Sequence, residues 1–119
     1  MNFNSVLIGS EDPKGLTEYY SKLFGEPAFD MDGYTGWQLG TGWITVGPHS
    51  EVSGKNPQPG RMLLNIETPD VKGEFDKLQA AGATVVQEPY RPGDETEGWI
   101  ATFTDPDGNY FQLMSPFEM

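Results

Sequence analysis

The feature that most restricts the fold of this chain is one succession of local signals that runs twice. Each pass opens on an alternating stretch. The first is Phe3 to Ser10, with Val6 and Ile8 on one face and Ser5, Leu7 and Gly9 on the other. In the second, Met62, Leu64 and Ile66 alternate with Leu63, Asn65 and Glu67. Such alternation predicts a strand with two unlike faces. A helix start follows: Asp12-Pro13 offers a side-chain oxygen to the free N–H groups and a proline preset for the first turn, and Thr68-Pro69-Asp70 is the second such start. Leu16, Tyr19, Tyr20, Leu23 and Phe24 form one apolar stripe; Val71, Phe75 and Leu78 form the other. Gly25 and Gly82 stop the two helices. Short strands then fall around Ala28–Met31, Tyr34–Leu39 and Trp43–Val46, and again around Val85–Val86, Gly98–Thr104 and Asn109–Met114.

Residue identities repeat as well. Asp12, Lys14 and Gly15 fall on Asp70, Lys72 and Gly73 at one offset (70 − 12 = 58), while Gly40 and Pro48 fall on Gly108 and Pro116 at another (108 − 40 = 68). The expectation is an α+β protein of two tandem βαβββ modules, Met1 to about Lys55 and about Asn56 to Met119, linked by the Pro- and Gly-rich segment at about 50–60. One helix per module covers one sheet face, so the other must be covered by its counterpart or by a partner chain. A homodimer is therefore expected.

Composition excludes several classes of function. The chain has no cysteine, which removes disulfides, thiolate catalysis and cysteine-ligated metal centres. Its net charge of −11 opposes a nucleic-acid backbone or an anionic membrane surface, and suits a cationic or neutral small molecule. Its longest apolar run, Val6-Leu7-Ile8, is far too short to span a bilayer, and no basic stretch with an apolar core marks a signal peptide. A cytoplasmic location is expected. Asp105-x-Asp107-Gly108 has the opening of a calcium loop, but Tyr110 and Pro116 stand where that loop needs glycine and glutamate. The acids Asp94, Glu95 and Glu97 read as a solvated loop face.

Three segments together resemble a known family. They are Asp12-Pro13-x-x-Leu16-x-x-Tyr19-Tyr20-x-x-Leu23-Phe24-Gly25, the helix ending Leu78-x-x-Ala81-Gly82-Ala83, and Asp105-Pro106-Asp107-Gly108-Asn109 followed by Tyr110-Phe111-Gln112-Leu113. They are similar to the vicinal oxygen chelate superfamily, which includes glyoxalase I, extradiol dioxygenases, fosfomycin-resistance enzymes and bleomycin-resistance proteins. The resemblance implies divalent-metal ligands on the first and last strands of each module, facing the cup. Carried over, those positions are Ser5, Ile44, Leu63 and Gln112. Two aliphatic side chains, a hydroxyl and an amide make no metal shell, and His49 lies beyond the strand, beside Pro48. No metal and no cofactor are expected.

Ser5, Leu7, Leu63, Asn65, Glu67, Tyr110, Gln112 and Met114 share the cup face by alternation, while Val6, Ile8, Met62, Leu64, Ile66, Phe111 and Leu113 lie under the helices. The candidate ligand-binding set is Gln112, Asn65, Glu67, Tyr110, Ser5 and Met114; the alternative is that Asn65, Glu67, Tyr110 and Gln112 satisfy one another, or face a module interface, and bind nothing. Trp43, next to Ile44, is expected to pack outward; Trp37 and Trp99 stay unplaced. The resemblance then leaves three readings. One is a metal-free protein that binds a small molecule, cationic or aromatic, in the cup. The second is a glyoxalase- or dioxygenase-like enzyme (lyase, isomerase or oxidoreductase) with an atypical metal set. The third is a structural or regulatory homodimer with a closed cup.

Overall fold

Two aspartates start the two helices, and the local geometry explains why the sequence repeats around them. The computed structural model describes residues 1–93 and 98–116. Its contacts divide the chain into two units, Met1–Lys55 and Asn56–Met119. The first unit runs β1 (Ser5–Gly9), α1 (Pro13–Phe24), β2 (Phe29–Met31), β3 (Tyr34–Leu39) and β4 (Gly42–Gly47). The second has a short 3-10 turn at Pro59–Arg61, then β5 (Leu63–Glu67), α2 (Val71–Ala80), β6 (Thr84–Tyr90), β7 (Ile100–Thr104) and β8 (Tyr110–Met114). This is the α+β, twice-βαβββ architecture.

At the start of α1, Asp12 accepts a hydrogen bond from the Gly15 N–H at 3.2 Å, and the Ser10 hydroxyl accepts one from the Asp12 N–H at 3.0 Å. The second unit builds the same start from Asp70, Gly73 and Thr68, at 3.0 and 3.2 Å. In both places the carboxylate folds over the glycine so closely that any Cβ there would collide with it. The repeated Asp-x-x-Gly is thus one cap that requires both residues. Gly25, at φ 88, then ends α1 in a conformation open to glycine.

The two sheets have corresponding strand orders, β1-β4-β3-β2 and β5-β8-β7-β6. In each, the first and last strands of the unit pair in parallel and the other neighbours are antiparallel. In the first unit, Leu16 and Tyr20 of α1 are buried with Ile8, Trp37, Ile44 and Val46. The register aligns that strand set, Ile44 standing opposite Trp37 and beside Val6, and Val46 beside Ile8. Tyr20 stacks on Phe24 and meets Trp37 at 6.0 Å between ring centres. Trp37 also ties the helix end to the sheet, its indole N–H donating to the Gly25 carbonyl at 2.9 Å. In the second unit Val71, Phe75 and Leu78 are buried with Ala101, Phe103, Phe111 and Leu113. Phe75, Phe103 and Phe111 stack in series at 5.4 and 5.3 Å. Asp105 closes the β7–β8 turn, its buried carboxylate accepting from the N–H groups of Asp107 and Asn109 and from the Asn109 side chain.

Three sequence expectations, for Ile44, Trp43 and Met62, need correction. Ile44 does not face the open side: it is buried on the helix side, and its neighbours Trp43 and Thr45 face the open side instead. The cause is turn length. Gly40 lies three residues before Trp43, whereas Gly108 lies two before Tyr110, so aligning the glycines shifts the strand by one residue. A one-residue shift exchanges the faces. The matching pairs are Trp43 with Tyr110 and Thr45 with Gln112, because Ser5 pairs Trp43 as Leu63 pairs Tyr110. Met62, expected under the helix, precedes β5 and is 75% exposed. Among the described residues, no helix is long and apolar enough to cross a membrane.

An exposed helical Gly→Ala change ordinarily stabilises by about 1 kcal/mol. At Gly15 the new methyl displaces the Asp12 cap, worth about 1 kcal/mol, so Gly15→Ala should leave stability near that of the parent. In an Asp12→Ala background the same change should recover the full gain. Urea denaturation of the four-member cycle measures the difference, and equal effects of Gly15→Ala in both backgrounds would refute the cap conflict.

Candidate functional site

The open face of each sheet, opposite its helix, is where side chains remain for a function other than packing. In the second unit the register sets these residues in rows. Leu63, Tyr110 and Thr104 form one, Asn65, Gln112, Thr102 and Gln87 the next, and Glu67, Met114, Ile100 and Tyr90 the third. The middle row is polar from end to end. Gln112 donates through Nε2 to Asn65 Oδ1 at 2.6 Å and accepts through Oε1 from the Thr102 hydroxyl at 3.3 Å. Gln112 is half-buried and Asn65 exposed, and the Asn65 Nδ2 donors make no hydrogen bond among the described residues.

Of the six sequence-derived candidates, the structure brings Gln112 and Asn65 into contact. Tyr110, Glu67 and Met114 share their face in adjoining rows; Met114 is buried and Glu67 exposed. Ser5 belongs to the first unit, half-buried beside Trp43. The sequence reading missed Thr102 and Gln87. Alternation within Ile100–Thr104 carried a signal for Thr102, since Ala101 and Phe103 are the buried pair on the other face. Gln87 had none, because register shifts break the β6–β7 ladder on both sides of it.

The open face of the first unit differs in chemistry. Its rows are Ser5, Trp43 and Gln38, then Leu7, Thr45, Gly36 and Phe29. A cleft of about 350 Å³ opens there, lined by Asn4, Phe29, Trp43 and Thr45.

Neither face suits a divalent metal. The strand positions implied by the resemblance, corrected for register, are Ser5, Thr45, Leu63 and Gln112: two hydroxyls, an alkyl chain and an amide. Thr45 already donates to the Val6 carbonyl at 3.1 Å, and Gln112 is engaged on both of its polar atoms. Hard cations need several anionic oxygens, and zinc-like metals need imidazole or thiolate. His49 is exposed and its Nδ1 accepts from the Glu51 N–H at 3.1 Å. Among the described residues, no three of His, Asp and Glu group closely enough to hold a metal. The Asp105 carboxylate is consumed by its own turn. Asp94, Glu95 and Glu97 lie outside the described residues.

Comparison with known proteins agrees with the fold. A family profile described as a glyoxalase-like domain matches residues 5–114. Among solved structures, a glyoxalase/bleomycin resistance protein/dioxygenase family enzyme from Burkholderia phytofirmans PsJN is 26% identical, with a TM-score of 0.70, covering 96% of this chain and 98% of that one. A glyoxalase/bleomycin resistance protein from Albidiferax ferrireducens T118 is 20% identical, with a TM-score of 0.73 and coverage of 96% and 98%. A glyoxalase-related enzyme from Fulvimarina pelagi is 19% identical, with a TM-score of 0.74, covering 97% of this chain and 88% of that one. No curated protein sequence gives a significant match.

The donor set makes a direct prediction. Gln112→Glu places a carboxylate beside Asn65, whose amide can turn to donate to it, so stability should change by less than about 1 kcal/mol. No saturable binding of Mn²⁺ or Zn²⁺ tighter than about 1 mM should appear by calorimetry, because one new carboxylate, with only Glu67 a row away among the described acids of that face, is still an incomplete shell. Micromolar binding would show that other ligands converge on this position.

Proposed function

The chain belongs to the glyoxalase-like domain family of the vicinal oxygen chelate superfamily, and from that premise we propose that it binds a small molecule on its open sheet faces without a resident divalent metal. The observation that carries the reading is the Asn65–Gln112 pair. Where the family's metal chemistry would call for a carboxylate, this chain has two amides bonded to each other at 2.6 Å, with Asn65 N–H groups left over. Amides offer both donors and acceptors, so they orient a neutral or zwitterionic molecule but coordinate a divalent cation poorly. The apolar residues around them, Leu63, Tyr110 and Met114, supply the contact area that an amide pair lacks. Tyr110 and Glu67 take the flanking positions in the adjoining rows, while Ser5 lies on the open face of the first unit, at the place Leu63 has in the second. We also propose that two copies associate, since Leu7 and Leu63 remain 47% and 38% exposed on the open faces.

Chelator treatment of freshly purified protein should move the melting temperature by no more than about 2 °C, because no metal contributes to folding. A thermal-shift screen of cationic, aromatic and dicarbonyl compounds, run with and without divalent metals, should yield stabilisers whose effect is metal-independent. For such a compound, Gln112→Ala should weaken binding by about 0.5–1.5 kcal/mol, the net worth of one neutral hydrogen bond. Stoichiometric metal in the purified protein, with stabilisation only in its presence, would replace this reading with that of a metal-dependent enzyme.

A further inference from the structure

We infer that the cleft on the first unit is a binding site for a planar aromatic molecule, cationic or neutral in preference to anionic. The inference rests on the small-molecule reading above and names the class of molecule and the wall that receives it.

The wall is built by a glycine. The register sets Phe29 opposite Gly36, and the Phe29 ring lies over that glycine so closely that any Cβ would collide with it. Reaching inward across β3, the ring comes within 6.0 Å of the Trp43 ring, centre to centre, with the planes 35° apart. The pair forms an aromatic corner rather than a closed stack, so a flat molecule can lie against a ring face. About 350 Å³ is at the small end of ligand sites, room for something on the order of two or three fused rings.

The three tryptophans are used differently, and the contrast singles out Trp43. Trp37 is buried with its N–H bonded to the Gly25 carbonyl. Trp99 has the Lys72 ammonium 3.8 Å from its ring centre and the Arg91 guanidinium at 5.5 Å. Trp43 is half-buried on the open face, and its N–H has no partner among the described residues. No buried polar side-chain atom there lacks a partner, so this N–H is accessible to solvent.

The polar atoms define the edge chemistry. Thr45 spends its proton on the Val6 carbonyl and has lone pairs left to accept. Asn4 is exposed, and its amide is unengaged among the described residues, leaving donors and an acceptor. Two ring faces, an indole N–H, an amide and an accepting hydroxyl match the face and edge of a heteroaromatic ring. Asn4, Phe29, Trp43 and Thr45 carry no charge, so among the described residues no side chain of this lining pairs with an anion. Ring faces attract cations, and a protein of net charge −11 concentrates them.

Proflavine, a planar cation, is the probe, with naphthalene-2-sulfonate as the planar anion and cyclohexylammonium as the non-planar cation. Calorimetric titration of the full chain should show proflavine binding, with both controls at least about ten-fold weaker. Trp43→Leu should lose about ten-fold in proflavine affinity, the effect of one stacking platform, and Phe29→Leu and Asn4→Ala a few-fold. Trp43→Phe, which keeps a ring, should retain most of the affinity, and Trp99→Phe all of it. If Trp43→Leu melts too low to titrate, the Asn4→Ala and Trp43→Phe results decide. Equal affinity for the sulfonate, or proflavine binding indifferent to Asn4, Phe29 and Trp43, would overturn the inference. Indifference at those residues with a loss in Gln112→Ala would overturn this cleft while leaving the small-molecule reading intact. A compound screen that yields no metal-independent ligand at all would remove that reading as well.

Discussion

A single helix can seal only one face of a four-stranded sheet. Every other feature of each unit follows from that limit. The sealed face takes the large apolar strand side chains: Trp37, Ile44 and Val46 in the first unit, Phe103, Phe111 and Leu113 in the second. Because strand side chains alternate, committing those residues to the helix commits their neighbours to the opposite face. The polar row Asn65–Gln112–Thr102 and the aromatic corner Phe29–Trp43 are thus the other half of the decision that made the core. The caps serve the same constraint. With one helix per face, its position and direction have to be set firmly, and the Asp12 and Asp70 carboxylates, folded over Gly15 and Gly73, fix where each helix starts.

Much of this was legible in the sequence, for reasons that are local. Asp12 and Asp70 cap, Gly25 stops, and Val71, Phe75 and Leu78 face one way whatever the rest of the chain does. The face of each residue in β5 and β8 was equally readable, since alternation needs no partner. Register was not legible in the first unit. Aligning Gly40 with Gly108 treats the two hairpin turns as equivalent, but two residues separate β3 from β4 and five separate β7 from β8. Strand ladders tolerate no slip of one residue, whereas loops absorb insertions at little cost. Equivalence is therefore carried by strand pairing rather than by turn glycines. Ile44 and Trp43 exchanged faces on that account. The contact between Gln112 and Asn65 was illegible for a related reason: it depends on which residue of β5 lies beside which residue of β8.

The two open faces also differ in how they treat bulk. On the second sheet, side chains stand in rows and bond to one another, as Gln112 does to Asn65 and Thr102. On the first, glycines replace standing side chains, and rings lie down in the vacated space: Phe29 over Gly36 and Tyr34 over Gly47. A ring laid flat on a sheet covers backbone that a glycine leaves bare, which offsets the weakness of glycine in a strand. It also turns an aromatic face outward. A standing amide and a recumbent ring offer different chemistry, the first a hydrogen-bonding edge and the second a flat apolar face.

Charge separates the two scales on which such a ligand would be selected. The chain carries 18 acidic residues against seven basic ones, yet among the described residues the strand ladders place only Glu67 of the acids on an open face. The remaining acids contribute to the field around the molecule, which acts over about 8 Å at physiological salt and biases which molecules arrive. Under the proposed function, the side chains of the face that receives the ligand would decide what stays. This division has an energetic advantage. A carboxylate held against a bound cation must itself be stripped of water, and the loss offsets much of the attraction gained. A neutral face avoids that loss, because ring faces and amides are weakly hydrated compared with carboxylates. Under the proposed reading, an acidic exterior around the uncharged rows of the first sheet would attract cations without desolvating a carboxylate, and would still admit neutral molecules of the same shape.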